Sequence, residues 1–262
     1  MTKTILITGA TDGIGLLTAE KLATEGHTVL LHGRSASKLE AAAKRVRGKT
    51  ETYIADLTKV VDVHAMAAEI RENHTQIDAL INNAGILKAP KTVTPDGYDI
   101  RFMVNTFAPY VLTRELLPII AKGGRIVNLS SAAQAPVDLN ALQGNMPLDD
   151  MSAYAQSKLA ITIWSQEMAR ELPDGPAVIA VNPGSLLASK MVKEGFGVSG
   201  NDLSIGARIL IEAALGASFA GASGKYFDND SRRFAHPQAA AQDTGQVAAV
   251  MQGINDVVAR LG

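Results

Sequence analysis

The chain predicts an α/β fold, a doubly wound sheet of about seven parallel strands with helices on both faces. Three observations carry that expectation. Apolar runs of strand length alternate with amphipathic runs of helical length from one end to the other, the pattern of a parallel sheet covered on both sides. The first apolar run leads straight into a glycine-rich turn and then a helical pattern. No repeat or composition break divides the 262 residues, so one domain spanning 1–262 is expected.

Taken in order, the strands are read near 3–8, 27–32, 51–55, 78–82, 124–129, 176–181 and 224–228. Helical patterns fill the gaps near 13–25, 36–47, 60–73, 97–121, 152–172 and 203–217, with a last one near 240–260. Two stretches break the alternation, 132–151 and 184–202. They are too irregular for an element and long for loops of a compact domain, and such loops are commonly functional. We read both as substrate loops.

Composition narrows the chemistry. With 19% charged residues and a net charge of −1, nothing draws the chain toward nucleic acid or an anionic membrane. The absence of cysteine removes disulfides, thiolate metal sites and a cysteine nucleophile. The five histidines lack metal-ligand spacing, so no metal is expected. The opening Met-Thr-Lys-Thr-Ile-Leu-Ile reads as a first strand, not a signal peptide, and no apolar run reaches the length of a membrane span. A cytoplasmic protein is the expectation.

The glycine turn reads Thr8-Gly9-Ala10-Thr11-Asp12-Gly13-Ile14-Gly15. Its glycines let the chain turn sharply and let a pyrophosphate reach the backbone, while the N–H groups of Thr11 to Gly15 at the helix start can receive the anion. The strand-turn-helix context makes this a Rossmann-type dinucleotide site, although the spacing departs from Gly-x-Gly-x-x-Gly. The second strand ends in Gly33-Arg34-Ser35. An NAD site would carry an acid there; Arg34 can instead pair with a 2′-phosphate, with Ser35 adding a hydroxyl, so NADP(H) is expected over NAD(H). Asp56 and Leu57 follow the third strand, where the carboxylate can accept from the adenine amino group. Asn83, Ala84 and Gly85 follow the fourth, at the carboxyl edge where ligands of such sheets bind.

Tyr154 and Lys158 stand four residues apart in Ser-Ala-Tyr-Ala-Gln-Ser-Lys, one helix face. A cation beside a phenol favours phenolate and suits it to proton transfer. Together, Thr8-Gly9-x-x-x-Gly13-x-Gly15, Asn82-Asn83-Ala84-Gly85, a serine after the fifth strand and Tyr154-x-x-x-Lys158 resemble the short-chain dehydrogenase/reductases over at least residues 3 to 190. That resemblance implies hydride exchange between a nicotinamide cofactor and an alcohol or carbonyl carbon. Tyr154 would be the general acid/base and Lys158 would hold the nicotinamide ribose and lower the tyrosine pKa. Ser131 would orient the substrate oxygen, Ser130 being the neighbouring alternative that caps backbone, and Asn105 would organise a relay water. Pro183 and Gly184 match the turn beside the nicotinamide, whose usual hydroxyl position is Ala188 here; either Ser189 fills that role or the contact is lost.

The 22 residues between Ser131 and Tyr154 exceed the family's usual spacing. This, Thr94-Pro-Asp-Gly-Tyr98 and Ser223-Gly-Lys-Tyr-Phe-Asp resemble the retinol-dehydrogenase-like and protochlorophyllide-reductase-like branches, which act on apolar carbonyl compounds. The insertion's Pro136, Val137, Leu139, Leu142, Met146, Pro147 and Leu148 suit such a small apolar carbonyl or alcohol substrate, or a partner subunit; the resemblance implies a homodimer or homotetramer. The expected activity is that of a carbonyl reductase or alcohol dehydrogenase. Its rivals are a cofactor-binding sensor or scaffold without turnover and a nucleotide-sugar epimerase or dehydratase.

Overall fold

The computed structural model describes residues 1–188, 191, 193, 197 and 199–262. One sheet carries every described strand, in the order β3-β2-β1-β4-β5-β6-β7-β8. The strands are β1 (Thr4–Ile7), β2 (Thr28–Gly33), β3 (Lys49–Ile54), β4 (Ile77–Asn82), β5 (Ile120–Leu129), β6 (Ala177–Asn182), β7 (Tyr226–Asp228) and β8 (Arg233–Ala235). The first seven pair in parallel as expected. An eighth, β8, adds to β7 antiparallel, a hairpin the sequence reading missed. The order reverses between β1 and β4, which places a crevice at their carboxyl ends.

The central strands are apolar because both faces are buried: Ile5, Leu6, Ile7, Ala79, Leu80 and Ile81 are all fully enclosed. Alternate residues therefore feed two cores. Leu6, Leu80 and Ile126 face one with α3 (Val60–Asn73) and the long helix α7 (Asp150–Glu171). Ile5, Ile7 and Val127 face the other, with α1 (Gly13–Thr24) and α8 (Leu203–Leu215).

The single helix expected near 97–121 is broken. It runs as α4 (Ile100–Phe102), a π turn (Met103–Phe107) and α5 (Ala108–Leu116), and β5 begins at Ile120, four residues earlier than read. Pro109 explains the break: it has no N–H for the carbonyl of Asn105, four residues back. The chain widens instead, and Ala108 N–H donates to Met103 O in a five-residue register.

The 132–151 insertion is not a free excursion. It contains a turn of helix, α6 (Leu139–Leu142), capped by the Asp138 carboxylate. Val137 and Leu142 are buried against the last helix, α9 (Thr244–Leu261). The fit is close, since a Cβ on Gly253 would lie 2.9 Å from the Leu142 side chain. Part of the insertion's apolar content is therefore core, while Leu139, Met146 and Met151 remain exposed. Among the described residues no helix is long and apolar enough to cross a membrane.

Candidate active site

The glycine turn is built by close approach. Gly9 has φ +66°, and a Cβ there would meet the Ala84 backbone at 2.9 Å; on Gly15 it would meet Asn83 Nδ2 and Gly9 O at 2.4 Å. Asn83 stitches this contact by donating to Thr8 O (2.8 Å) and Gly9 O (3.1 Å), and Ala84 N–H donates to Thr8 Oγ1 (3.0 Å). Asn83 and Ala84 thus brace the turn. Thr11 packs its methyl over Gly33, and Ile14 packs on Gly206 of α8.

The turn fits an anion. Asp12 occupies the N-cap of α1 but its side chain makes no capping bond, and the first intrahelical bond is Leu16 N–H to Asp12 O. The amides of Gly13, Ile14 and Gly15 are left as orphan donors at a positive dipole end, where a pyrophosphate would seat. Arg34 is exposed at the end of β2 and makes no ion pair among the described residues. Ser35 is partly committed, since its oxygen caps α2 (Ala36–Arg45) by accepting from Lys38 N–H. Asp56 holds its own turn, Oδ1 accepting from Thr58 N–H and Oγ1–H, which leaves Oδ2 for an adenine donor. Leu57 is buried beside it.

His32 was not singled out in the sequence, though a polar residue inside an apolar strand is a signal. It is buried, and its Nδ1 accepts from Gly9 N–H at 3.2 Å. That acceptance puts the proton on Nε2, which donates to Ala55 O at 3.1 Å. Burial pushes its pKa down to about 4, so the neutral ring ties the pyrophosphate turn to the segment preceding Asp56.

At the other end of the crevice, α7 brings Tyr154 and Lys158 onto one face, with Lys158 Nζ 5.6 Å from the centre of the Tyr154 ring. Lys158 is buried and donates to Leu129 O at 2.7 Å. Gly85 is beside it: a Cβ there would sit 3.3 Å from Nζ and 3.4 Å from Asn105 Oδ1. Ser131 follows β5, where its hydroxyl opposes the rise that burial imposes on the Tyr154 pKa, while its Oγ accepts from Ala133 N–H at 3.1 Å. Ser130 points the other way, into α7, against Thr162 Oγ1 (2.7 Å) and Lys158 O (3.2 Å).

Asn105 is fully buried in the π turn. Its Oδ1 accepts from Ile86 N–H (2.8 Å), and its Nδ2 donates to Ile86 O (3.0 Å) and Ser157 Oγ (2.9 Å). Every side-chain group is thus spent on locking the segment after β4 to α7. Its main-chain carbonyl is left by Pro109 without an α-helical donor.

The electrostatics depart from one expectation. Tyr154 is raised above its ordinary pKa by burial, with the Ser131 hydroxyl opposing, and Lys158 is lowered to about 8 by the same cause. Desolvation dominates both because the ammonium is directed at the Leu129 carbonyl and the ring face.

Pro183 and Gly184 follow β6, with Gly184 at φ +122°. Asn229 Nδ2 donates to Pro183 O (2.9 Å), and Asp230 accepts from Ser185 N–H (2.8 Å) and Oγ–H (2.5 Å), so the β7–β8 turn holds this segment. Ser189 lies outside the described residues. Arg101 was also missed, although a charge in Ile-Arg-Phe-Met-Val should have drawn notice. It is fully buried and bridges Asp99 Oδ2 (2.6 Å) to Asp150 Oδ1 (2.5 Å), tying α4 to the start of the helix that carries Tyr154.

Residues 3–196 match the family model described as short chain dehydrogenase. Human retinol dehydrogenase 13 is 32% identical over 278 residues, covering 93% of this chain and 81% of that one. Human polyprenol dehydrogenase is 32% identical over 195 residues, covering 68% of this chain and 59% of that one. Among solved structures, an uncharacterised protein from Mycobacterium paratuberculosis superposes with a TM-score of 0.81 at 28% identity, over 98% of this chain and 93% of that one. A short-chain dehydrogenase from Escherichia coli CFT073 complexed with NADPH gives 0.70 at 27% identity, over 87% and 96%. Sequence, fold and site geometry agree that the chain belongs to the short-chain dehydrogenase/reductases, in their retinol-dehydrogenase-like branch.

Proposed function

We propose that the protein interconverts an alcohol and an aldehyde or ketone with NADP(H), Tyr154 serving as general acid/base. The observation that carries this reading is the convergence of Tyr154 and Ser131 with the buried Lys158 at the carboxyl end of β5. When bound, the nicotinamide supplies or accepts the hydride. The chain handles the rest. Ser131 holds the substrate oxygen by its hydroxyl, and Tyr154 gives that oxygen its proton in reduction or removes it in oxidation. Lys158 holds the ribose hydroxyls and sets the charge beside the phenol. Gly13 to Gly15 hold the pyrophosphate, and Arg34 selects the 2′-phosphate.

An apolar substrate suits the rim. Met151 lies one turn before Tyr154 on the same helix face and is exposed. The names of the relatives, retinol and polyprenol dehydrogenase, point to extended apolar alcohols. The loops 132–151 and 184–202 would frame that substrate.

The test is Tyr154→Phe, assayed against a panel of apolar aldehydes, ketones and alcohols by NADPH consumption or NADP reduction. Turnover should be abolished while NADPH affinity stays within about twofold of wild type. Retained turnover would overturn the role of Tyr154.

A further inference from the structure

The main-chain carbonyl of Ser131 receives two side-chain donors from different segments. Tyr226 Oη, 95 positions away on β7, donates to it at 3.0 Å. Gln134 Nε2 donates to the same oxygen at 2.9 Å. A carbonyl oxygen has two lone pairs, so these bonds occupy both and fix the peptide plane that follows Ser131. Gln134 reaches further: Nε2 also lies 3.2 Å from Ser130 Oγ, and Oε1 accepts from Gln238 N–H at 3.0 Å. The segment ahead of α9 is thereby linked to the serine.

We propose that Tyr226 and Gln134 are positioning residues that clamp the Ser131 carbonyl and so aim the Ser131 hydroxyl at the substrate oxygen. This rests on the reading of Ser131 given above. The Ser131 Oγ is one rotatable bond from a Cα whose peptide the clamp fixes, and displacement of a reacting group by about 1 Å can lower a rate about a hundredfold. Tyr226 is well suited to the task. It is buried, and burial together with the Asp228 and Asp230 carboxylates that face it raises its pKa, so its phenol remains a donor throughout the working range. Packing alone does not explain two polar side chains meeting on one atom, because a phenylalanine and a leucine would fill the same volume.

The experiment is a cycle of Tyr226→Phe and Gln134→Leu, each made in wild type and in Ser131→Ala, measured with an aldehyde the wild type reduces and the corresponding alcohol. Tyr226→Phe removes only the hydroxyl. It should lower kcat about tenfold while KM and NADPH Kd stay within about twofold, and Gln134→Leu should do the same independently. Because the Ser131 hydroxyl opposes the upward shift of Tyr154, its displacement should move the rate–pH curve of alcohol oxidation to higher pH. In Ser131→Ala neither substitution should lower kcat further. A kcat within twofold of wild type for both variants, or the same fold-loss with and without the Ser131 hydroxyl, would overturn the clamp. If Ser131→Ala itself keeps full turnover, the reading of Ser131 fails first, and the two failures are told apart.

Discussion

Lys158 directs its ammonium at the Leu129 carbonyl, 2.7 Å away, so the cation of the proposed site is held by a main-chain oxygen. One carbonyl is poor compensation for a buried charge, and its pKa falls from 10.5 to about 8. The native protein then binds fewer protons than the unfolded chain between about pH 8 and pH 10.5, and stability contributed by this site rises with pH across that window. Below pH 8 the penalty is fully present, on the order of 3 kcal/mol. Lys158→Met removes it. In cofactor-free protein the variant should therefore be most favoured relative to wild type near pH 7, and the wild type should recover most of that difference by pH 10. Thermal unfolding of both proteins across this range checks it; a gap that does not change with pH would sink the argument.

Gly15 leaves no room for a side chain, because a Cβ would lie 2.4 Å from both Asn83 Nδ2 and the Gly9 carbonyl. Neither neighbour can yield easily, since Asn83 is itself bonded to Thr8 O and Gly9 O. Gly15→Ala should cost about 1–3 kcal/mol by overpacking and weaken NADPH binding by at least tenfold through the displaced turn. Gly123→Ala is the control: it meets nothing within 4 Å and should fall within about 0.5 kcal/mol of wild type. Denaturant unfolding and cofactor titration of the two variants decide between local packing and a general intolerance of alanine.

What was legible in the sequence was local. Runs such as Ile5-Leu6-Ile7 and Ala79-Leu80-Ile81 declare strands buried on both faces, and the glycines at 9 and 15 announce close backbone approach. The start of β5 was read as helix because Leu116 to Ile120 continue an apolar run, and β8 was missed because Arg-Phe-Ala is short and half exposed. Contacts between distant positions leave no local trace. Nothing near Leu142 says that it packs on Gly253, and nothing near Ser131 says that Tyr226 donates to its carbonyl. The upward shift of Tyr154 was hidden for the same reason: spacing puts the lysine on its face, whereas burial depends on the whole fold.

Arg101 predicts a stability effect away from the chemistry. Its guanidinium is fully enclosed between Asp99 and Asp150, with Nε lacking a partner. Truncation to Arg101→Ala leaves Asp99 without its cation and opens a cavity, so a loss of about 3–5 kcal/mol is expected. Arg101→Lys should not restore stability, because a single ammonium cannot span two carboxylates as the planar fork does. Asp150→Asn should cost less, its carboxylate being partly solvated. Equal stability of Arg101→Lys and wild type in urea would show that the bridge is dispensable.

Arg34 is the residue proposed to select between the two cofactors. It is exposed at the end of β2, beside the Gly33 that packs against Thr11 of the glycine turn, where the adenosine ribose is expected to lie. A hydrogen bond to a charged phosphate contributes about 1.5–3 kcal/mol, equivalent to roughly ten- to hundredfold in affinity. Arg34→Asp removes that bond and places a carboxylate against the 2′-phosphate, while offering an acceptor to free ribose hydroxyls. The KM for NADPH should rise by at least tenfold, the KM for NADH should fall or hold, and kcat with either should change little because the nicotinamide end is untouched. Parallel kinetics with both cofactors check this, and an undiminished preference for NADPH would remove Arg34 from the selection.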